Sequence, residues 1–357
     1  MVISEEDLLF ILKKIQRGNL DGFTSVIVPV DSSPQHFLYL NKLNDESKVS
    51  LDKYRTIDPI KILFYRVREK IFPFDSLTDK NLVVGVKACD LQALKLLDKA
   101  LLSSGFTDKA YEAWRKNTTI VSCDCTEITP VCHCNLLDGH PFAISNFEKY
   151  DMNLFSDSIY DMNLSKTGDK YVISVGSAKG EALLNLMKNH AHLSEITENI
   201  KQKVREQREK VMLKLAEQNL KYDKYGSFES LKIAAHDEWI EESKECVGCT
   251  ACTNICPTCY CLILNDESAR QEFIKVRSYD SCQLRGYARV AGGATPRPNV
   301  FQRFRNRYLC KFLYMKNEFG FSGCTGCGRC IEAESTKIDI RSVVQRIISN
   351  NESISIN

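Results

Sequence analysis

The sequence predicts an α+β protein in which a mixed α/β unit is followed by a helical unit rich in cysteine. In the first part of the chain, short β-branched runs of strand length alternate with a segment of helical apolar spacing. No cysteine occurs over more than a hundred residues between Cys134 and Cys246, which indicates two separate cysteine-bearing units. A long charged segment without glycine or proline lies in that gap and is typical of a connecting helix.

Length and composition limit the classes of protein to consider. The chain has 357 residues, 43% apolar and 26% charged, so it is long enough for two domains and apolar enough for a folded core. Its net charge of +2 gives no indication of a nucleic-acid partner. The N-terminal segment MVISEEDLLFILKK lacks the basic and apolar regions of a signal peptide, and no apolar run reaches the roughly 20 residues that span a bilayer. We therefore expect a cytoplasmic protein without a membrane segment.

The cysteine content is unusual for such a chain. There are 16 cysteines, and in a cytoplasmic protein of this size they are more typical of metal ligands or catalytic groups than of disulfides. Exposed thiolate clusters are sensitive to oxidation, so the expected environment is reducing and anaerobic.

The first unit is predicted over residues 1–195. One helix is expected over 90–102, with Asp90 as its N-cap, and Thr167-Gly168-Asp169 is expected to form a turn before a strand. A short repeat, YDMNL at 150–154 and 160–164, is interpreted as a local duplication. The predicted strands are 24–30, 82–87, 118–122 and 171–176.

The remainder of the chain is predicted to be mainly helical. A helical linker is expected over 196–235, with its long helix at 196–221, and a second domain over 236–345. Within that domain, Val300, Phe304, Tyr308 and Phe312 have helical core spacing in a helix over 299–316. Residues 346–357 are polar and are predicted to be a fraying tail.

The most specific motif is Cys246-x2-Cys249-x2-Cys252-x3-Cys256-Pro257, which matches the bacterial ferredoxin run. Thiolates two residues apart allow one short loop to surround a [4Fe–4S] cubane, and the fourth cysteine usually binds the other cluster of a pair. Structural zinc favours two paired Cys-x2-Cys knuckles over three cysteines in tandem. We therefore predict that these four cysteines are cluster ligands.

A second run, Cys324-x2-Cys327-x2-Cys330, is the expected partner. It begins 68 residues after Cys256, which is too long for a compact ferredoxin and indicates an α-helical ferredoxin domain with two [4Fe–4S] clusters. Where its fourth cysteine and the following proline would stand, the chain has Glu334-Ser335.

This departure leaves several outcomes open for the cluster held by the first run. Glu334 could be a carboxylate ligand, the cluster could have a three-iron core, or another thiolate could replace the missing one, from Cys259, Cys261 or Cys282. The remaining alternative is that Glu334 is a solvated helix residue and that the site is degenerate.

A further four-thiolate site is predicted in the first unit, from Cys89 together with Cys125-x6-Cys132-x-Cys134. Cys89 ends one predicted strand and Cys125 follows another, so both are expected at the sheet edge where α/β proteins place their ligands. The residues favour a third cluster, and a zinc ion or buried free cysteines are the alternatives. His133 is expected to be a bystander, because a Rieske-type site needs a repeated Cys-x-His pairing.

Several segments beyond the ferredoxin runs are distinctive: GVKACDL at 85–91, Cys125 to Cys134, CPTCYC at 256–261, DSCQ at 280–283, AGGATPRP at 291–298 and FRNRYLCK at 304–311. Together they resemble the iron–sulfur family that contains the β subunits of sulfhydrogenases (soluble [NiFe] hydrogenases) and the iron–sulfur subunits of anaerobic sulfite reductases. The resemblance covers roughly residues 60–345 and is densest at 246–330.

The resemblance implies a non-catalytic electron-relay subunit. In such a role the chain passes electrons between a flavoprotein that binds NAD(P)H and a catalytic subunit, either a nickel–iron hydrogenase or a sirohaem sulfite reductase; a flavoprotein–heterodisulfide reductase complex is an alternative. It also implies an N-terminal cluster with Cys89, Cys125, Cys132 and Cys134 as ligands and Cys123 as a spare. The family usually has Cys-Pro where this chain has Glu334-Ser335.

Other features have more than one interpretation. Cys259, Cys261, Cys282 and Cys310 show no ligand spacing, so a fourth cluster and buried thiols both stay open. Six arginines alternate with aromatic residues and are predicted to neutralise anionic clusters or to form a docking face: Arg285, Arg289, Arg297, Arg303, Arg305 and Arg307. No dinucleotide fingerprint or P-loop is present, so no flavin or nucleotide site is expected.

Two rival functions remain at this point. One is a free-standing enzyme with chemistry at an incompletely ligated iron, which Glu334 would support. The other is a zinc-stabilised binding module, which would be colourless when purified.

Overall fold

A computed structural model of the chain describes residues 1–18, 20–43, 48–103, 105, 107–144, 159–222, 228–269, 272–336 and 338–352. The strands are β1 (Val2–Ser4), β2 (Phe23–Val30), β3 (His36–Tyr39), β4 (Arg68–Phe72), β5 (Lys80–Val86), β6 (Thr118–Cys123), β7 (Met162–Thr167), β8 (Lys170–Val175), β9 (Leu262–Ala269) and β10 (Glu272–Tyr279). The helices are α1 (Glu5–Gly18), α2 (Ala88–Leu102), α3 (Lys109–Lys116), α4 (Ala178–Lys188), α5 (Glu198–Asn219), α6 (Ser230–Ile233), α7 (His236–Glu242), α8 (Ala251–Asn254), α9 (Val300–Leu309), α10 (Met315–Phe319), α11 (Arg329–Ala333) and α12 (Ile340–Glu352). Among these helices, none has the length and apolar character to cross a bilayer.

The first half of the chain is built on a seven-stranded sheet of order β1-β8-β7-β6-β5-β2-β3. Strands β2, β5, β6 and β7 are parallel to their neighbours in this central part, and the outer strands pair antiparallel. Parallel strands need crossover connections, and α2 with α3 provides the one between β5 and β6. The carboxyl ends of β5 and β6 therefore lie side by side, which places Cys89 and Cys125 at the same edge.

Both faces of this sheet are buried. Val26, Leu82 and Val84 belong to one apolar core, shared with α1 and α4. Ile27 and Val83, at alternate positions, belong to a second core on the opposite face, shared with α2 and α3. This accounts for the continuous apolar runs in the sequence of the central strands, which are typical of parallel sheets covered on both sides.

A second, antiparallel sheet of order β4-β10-β9 joins the two halves of the chain. The hairpin β9–β10 follows the first ferredoxin run, and β10 pairs with β4 from the first half, for example at Arg277 opposite Glu69. This hairpin was not predicted, since the second domain was expected to be helical. Its exposed face carries isolated apolar side chains such as Phe273, and such a strand is hard to recognise from its sequence alone.

The helical part has its own apolar core. Phe304, Tyr308 and Phe312 are buried together with Trp239 and with residues of α12. The helix predicted over 299–316 consists of α9, one π-helical turn at Cys310–Tyr314, and α10.

The predicted tail begins later than expected. Residues 346–352 continue α12, and residues 353–357 lie outside the described residues. Val343, Val344, Ile347 and Ile348 of this helix are buried in the helical core. The prediction that the chain frays from residue 346 was therefore wrong for 346–352, because apolar residues of this helix are buried and Asn351 is also buried, with a hydrogen bond to Glu238.

The α+β fold class is confirmed, and the predicted strands and long helices lie within a few residues of those observed. The turn at Gly168 also forms, with a positive φ of 63° between β7 and β8. The first copy of the YDMNL repeat lies outside the described residues, and the second contributes to β7.

The prediction that Asp90 caps α2 was wrong. Lys87 occupies the N-cap position, and Asp90 lies in the first turn. Asp90 is instead 1% exposed and accepts two hydrogen bonds from the guanidinium of Arg329, at 2.8 and 2.7 Å. Arg329 is fully buried and also donates to the backbone oxygens of Thr56 and Asp58. This bidentate pair connects the second ferredoxin run directly to helix α2 of the α/β unit.

Replacing Arg329 by methionine should destabilise the protein by about 3–5 kcal/mol, because the buried Asp90 carboxylate would lose its partner. The matched control is Arg346→Met, which removes an arginine whose side chain is 57% exposed in its pair with Glu242. Exposed pairs contribute about 0–1 kcal/mol, so this control should unfold close to the unmodified protein. Anaerobic thermal unfolding of the three proteins measures the difference, and equal unfolding temperatures for Arg329→Met and Arg346→Met would contradict the assignment.

Candidate iron–sulfur sites

The two ferredoxin runs have the same backbone conformation. Gly248 and Gly326, two residues after the first cysteine of each run, have φ of 67° and 66°. Thr250 and Gly328, two residues further on, have φ of 65° and 73°. Each run then continues into a short helix, α8 or α11. The left-handed residues curl each loop around its cysteines, and Thr250 adopts this conformation without being a glycine.

Backbone amides in both loops point toward sulfur. The amide of Gly248 donates to Cys246, and the amide of Gly326 donates to Cys324. Hydrogen bonds to ligand sulfurs are one of the means by which proteins adjust the potential of iron–sulfur clusters. The loops therefore fit the group that their spacing predicted.

The first run brings its three cysteines together. Cys252 interacts electrostatically with both Cys246 and Cys249, and burial raises the pKa of Cys246 and Cys252. Cys249 is exposed, whereas Cys252 is buried. This site therefore lies at the molecular surface on one side.

Cys256 is the fourth cysteine of the first run, but it lies close to the cysteines of the second run. Both Cys324 and Cys330 interact electrostatically with Cys256 and with Cys327. Burial raises the pKa of Cys330 to about 12, although Arg307 lowers it. The structure thus brings together the four predicted ligands of one cluster, in the crossed arrangement in which the fourth cysteine of a run serves the other site.

The four N-terminal cysteines also converge. Cys125 lies within electrostatic range of Cys89, Cys132 and Cys134. Burial raises the pKa of Cys125 to about 12, while the nearby Lys87 lowers it. Cys132 accepts a hydrogen bond from the amide of Thr129 at 3.4 Å, and its sulfur is also hydrogen-bonded with the Thr129 hydroxyl at 3.1 Å. Metal ligation requires the thiolate form, so occupation of this site would release protons.

The N-terminal loop is packed directly against the second run. A Cβ at Gly326 would lie 2.4 Å from the backbone of Cys134, and one at Gly328 would lie 2.3 Å from the oxygen of Val131. The backbone amide of His133 donates to Gly326 O at 2.8 Å. The imidazole Nε2 of His133 lies 3.9 Å from the sulfur of Cys324. His133, which was expected to be a bystander, is therefore a contact between the two groups of cysteines. Two glycines permit this close approach, and the sequence alone did not point to them.

Arg307 lies between the two ferredoxin runs. It is 6% exposed and interacts electrostatically with Cys252 and Cys330. Burial lowers the pKa of Arg307, but these thiols raise it, and the net change is upward. Of the six arginines that alternate with aromatic residues, Arg307 fits the predicted role of neutralising anionic clusters. Arg303 is also buried, but it donates to backbone oxygens of Gln283, Arg297 and Pro298.

Glu334 is close to the first run, where the missing ligand was expected. It is 5% exposed, ends helix α11 in an extended conformation and interacts electrostatically with Cys246. Its Oε2 accepts from the amides of Thr336 and Ile338, both at 3.0 Å, and its Oε1 accepts from the Thr336 hydroxyl at 2.8 Å. The alternative of a solvated helix residue was therefore wrong: backbone donors hold a buried carboxylate beside the cysteines.

The remaining cysteines divide into two kinds. Cys123 is buried in β6 within the core of the sheet. Cys261, Cys282 and Cys310 lie together, and Cys259 lies beside Cys256, although their spacing in the sequence gave no indication of this. Within the described part of the chain, no three His, Cys, Asp or Glu side chains are arranged as ligands of a single metal ion.

Comparisons with known proteins identify an iron–sulfur domain in the second half of the chain. A family profile described as a 4Fe-4S dicluster domain matches residues 245–338. The chain is 34% identical over 315 residues to the Sulfhydrogenase 2 subunit beta of Pyrococcus furiosus, which covers 86% of this chain and 87% of that relative. It is 24% identical over 216 residues to Protein SSO2 of Saccharomyces cerevisiae, over 58% of this chain and 67% of that protein. No solved structure matches the chain significantly.

Substituting Gly326 by alanine should force the N-terminal loop away from the second run. The new Cβ would overlap the backbone of Cys134, and the left-handed φ would be strained, at a total cost on the order of 2–5 kcal/mol. Gly286→Ala is the control, because a Cβ there meets nothing within 4 Å. The unfolding temperature of the anaerobically purified proteins should fall for Gly326→Ala alone; an equal fall in both would show that the close packing is not required.

Proposed function

The chain belongs to the sulfhydrogenase β-subunit family of iron–sulfur proteins, and on this premise we propose that it is the electron-relay subunit of an oxidoreductase complex. It carries a 4Fe–4S dicluster domain. The proposed ligands are Cys246, Cys249 and Cys252 with Glu334 for the first cluster, Cys256, Cys324, Cys327 and Cys330 for the second, and Cys89, Cys125, Cys132 and Cys134 for the third.

The main support for this proposal is that the three sites are adjacent to one another. The first and second are joined by Cys256 and by Arg307, which faces cysteines of both. The second and third are joined by the contacts of Gly326 and Gly328 with residues 131–134. Cys89 also interacts electrostatically with Cys327 of the second site. A series of adjacent sites suits one-electron transfer through the molecule.

Bound [4Fe–4S] clusters supply the one-electron redox chemistry. The protein holds the thiolates, donates amide hydrogen bonds to sulfur and places cations beside the negative charge. Arg307 and Arg329 are both fully or nearly fully buried next to ligand cysteines. Buried cations of this kind reduce the electrostatic cost of enclosing anionic clusters.

The proposed partners follow from the family. One is a flavoprotein subunit that binds NAD(P)H, and the other is a catalytic subunit, which we propose to be a nickel–iron hydrogenase because the relative from Pyrococcus furiosus is named a sulfhydrogenase subunit. The complex is proposed to be cytoplasmic. No acid–base group of this chain is needed for the transfer, so the chain alone is expected to catalyse little.

The proposed relay is tested by measuring electron transfer between the two partner subunits through this chain. In a complex that contains Cys256→Ala, electron transfer from NAD(P)H to the catalytic subunit should fall at least about tenfold, because the substitution removes a proposed ligand of the second cluster, which lies between the other two. Each partner should keep its activity with an artificial dye. Cys123→Ala is the matched control, since Cys123 is buried in the sheet and is no proposed ligand. Full coupling through Cys256→Ala, or loss of the dye activities, would contradict the relay.

A second prediction concerns Glu334. Glu334→Ala leaves three thiolates at the first site, so we expect one iron fewer per chain and the electron paramagnetic resonance signal of an oxidised three-iron core. Glu334→Cys should retain the iron, because a thiolate replaces the carboxylate. Glu245→Ala, which removes an exposed carboxylate next to Cys246, is the control. If Glu334→Ala has the iron content and spectrum of the unmodified protein, Glu334 is not a ligand.

A further inference from the structure

A fourth group of cysteines lies outside the three sites described above. Cys259 and Cys261 lie between α8 and β9, Cys282 follows β10, and Cys310 begins the π-helical turn after α9. We propose that Cys259, Cys261, Cys282 and Cys310 bind a fourth iron–sulfur cluster. The inference goes beyond the relay of three sites, whose ligands it does not share.

The β9–β10 hairpin brings two of these cysteines together. The strands pair in register from Leu262 opposite Tyr279, and the amide of Asp280 donates to Cys261 O at 3.0 Å. Cys261 therefore lies at the open end of the hairpin, beside the point where the chain continues toward Cys282. The side chains of Cys261 and Cys282 are hydrogen-bonded to each other. The hydrogen bond from Cys282, supported by Tyr287 and Lys311, lowers the pKa of Cys261 to about 6 against the effect of burial.

The other two cysteines reach the same place from different elements. Cys310 interacts electrostatically with Cys261 and lies where the helix widens into a π turn, a deviation that is frequent at functional sites. Cys259 is hydrogen-bonded to Lys311, the next residue of the same π turn. Three thiols from three separate segments, Cys261, Cys282 and Cys310, thus meet, and Cys259 reaches the same region through Lys311, which also interacts with Cys261. A local sequence pattern could not indicate this arrangement.

Two buried lysines provide independent support. Lys61 is 1% exposed and Lys311 is 3% exposed. Within the described residues neither is paired with a carboxylate: Lys61 Nζ donates to the backbone oxygens of Cys259 and Thr253, and Lys311 Nζ donates to the hydroxyl of Thr258 at 2.6 Å.

Burying two ammonium groups without a counter-charge is unfavourable. Cysteines are the anionic groups that both lysines face, and their thiolate forms are those that ligate iron. An anionic cluster held by these four thiolates would compensate both charges at once. Cys256 of the second site also faces both lysines, but if the thiols of the fourth group were neutral, this single thiolate would be left against two ammonium groups.

The position of the group suits a relay. Cys259 is hydrogen-bonded to Cys256, which we assign to the second site. On its outer side lie partly exposed residues, Leu284 at 46% and Tyr287 at 37%, and Tyr287 is hydrogen-bonded to Cys261. A fourth cluster here would connect the second site with the surface.

Counting iron and acid-labile sulfide in the full chain, purified anaerobically after cluster reconstitution, tests the proposal. Four cubane clusters give about sixteen of each per chain, and three give about twelve. Cys282→Ala and Cys310→Ala should each contain about three-quarters of the iron and sulfide of Cys123→Ala, the control for a buried cysteine outside every site. The spin count of the reduced proteins should fall in the same proportion.

The outcomes separate this inference from the proposed function. About twelve iron atoms in the unmodified chain, with no loss in either variant, would overturn the fourth site and leave the relay intact. Loss of one metal ion without loss of sulfide would also overturn it, because that result indicates a single-ion site. A chain without iron would overturn both. The count in the unmodified chain needs no variant, so it decides the question even where a substitution prevents folding.

Discussion

The buried ion pair between Arg329 and Asp90 is the interaction on which the arrangement of the sites depends. It joins the helix that follows the second ferredoxin run to the helix that follows β5, with both side chains almost inaccessible to solvent. A buried pair of this kind adds little net stability over apolar packing. It does fix the relative position of the two helices, because separating the charges would leave each one buried without a partner. Its effect here is to fix one group of cysteines against another, with Gly326 and Gly328 allowing backbone contact between them.

Buried positive charges beside the cysteines further constrain how the interior is arranged. Cations are buried beside cysteines at each group: Lys87 near Cys125, Arg307 near Cys252 and Cys330, and Lys311 near Cys259. In a protein without anionic cofactors, so many buried cations facing thiols would be hard to reconcile with a stable fold. Around anionic clusters the same residues lower the cost of enclosure, so cofactor binding and folding are expected to be coupled in this chain.

Much of the fold could be predicted from local pattern. The apolar runs at 82–87 and 118–122 correspond to central strands, and the charged stretch at 196–221 corresponds to α5, because periodicity and burial are encoded over a few residues. The predicted family resemblance and the 4Fe–4S domain are confirmed by the comparisons. What could not be predicted is long-range: the pairing of β10 with β4, the partner of Asp90, and the meeting of Cys261, Cys282 and Cys310. Each depends on segments far apart in the chain, and residue type alone does not select among the many pairs available.

The two ferredoxin runs have the same backbone conformation but are not chemically equivalent. Cys256 and Glu334 hold corresponding positions after the two loops, and each faces the site of the other run. The oxygen ligand proposed for Glu334 therefore falls on the first site, which is also the one with an exposed cysteine, Cys249. A relay needs at least one centre close enough to the surface to exchange electrons with a partner. On the proposed assignment, the carboxylate would adjust the potential of this outer centre, while the inner sites keep four thiolates each.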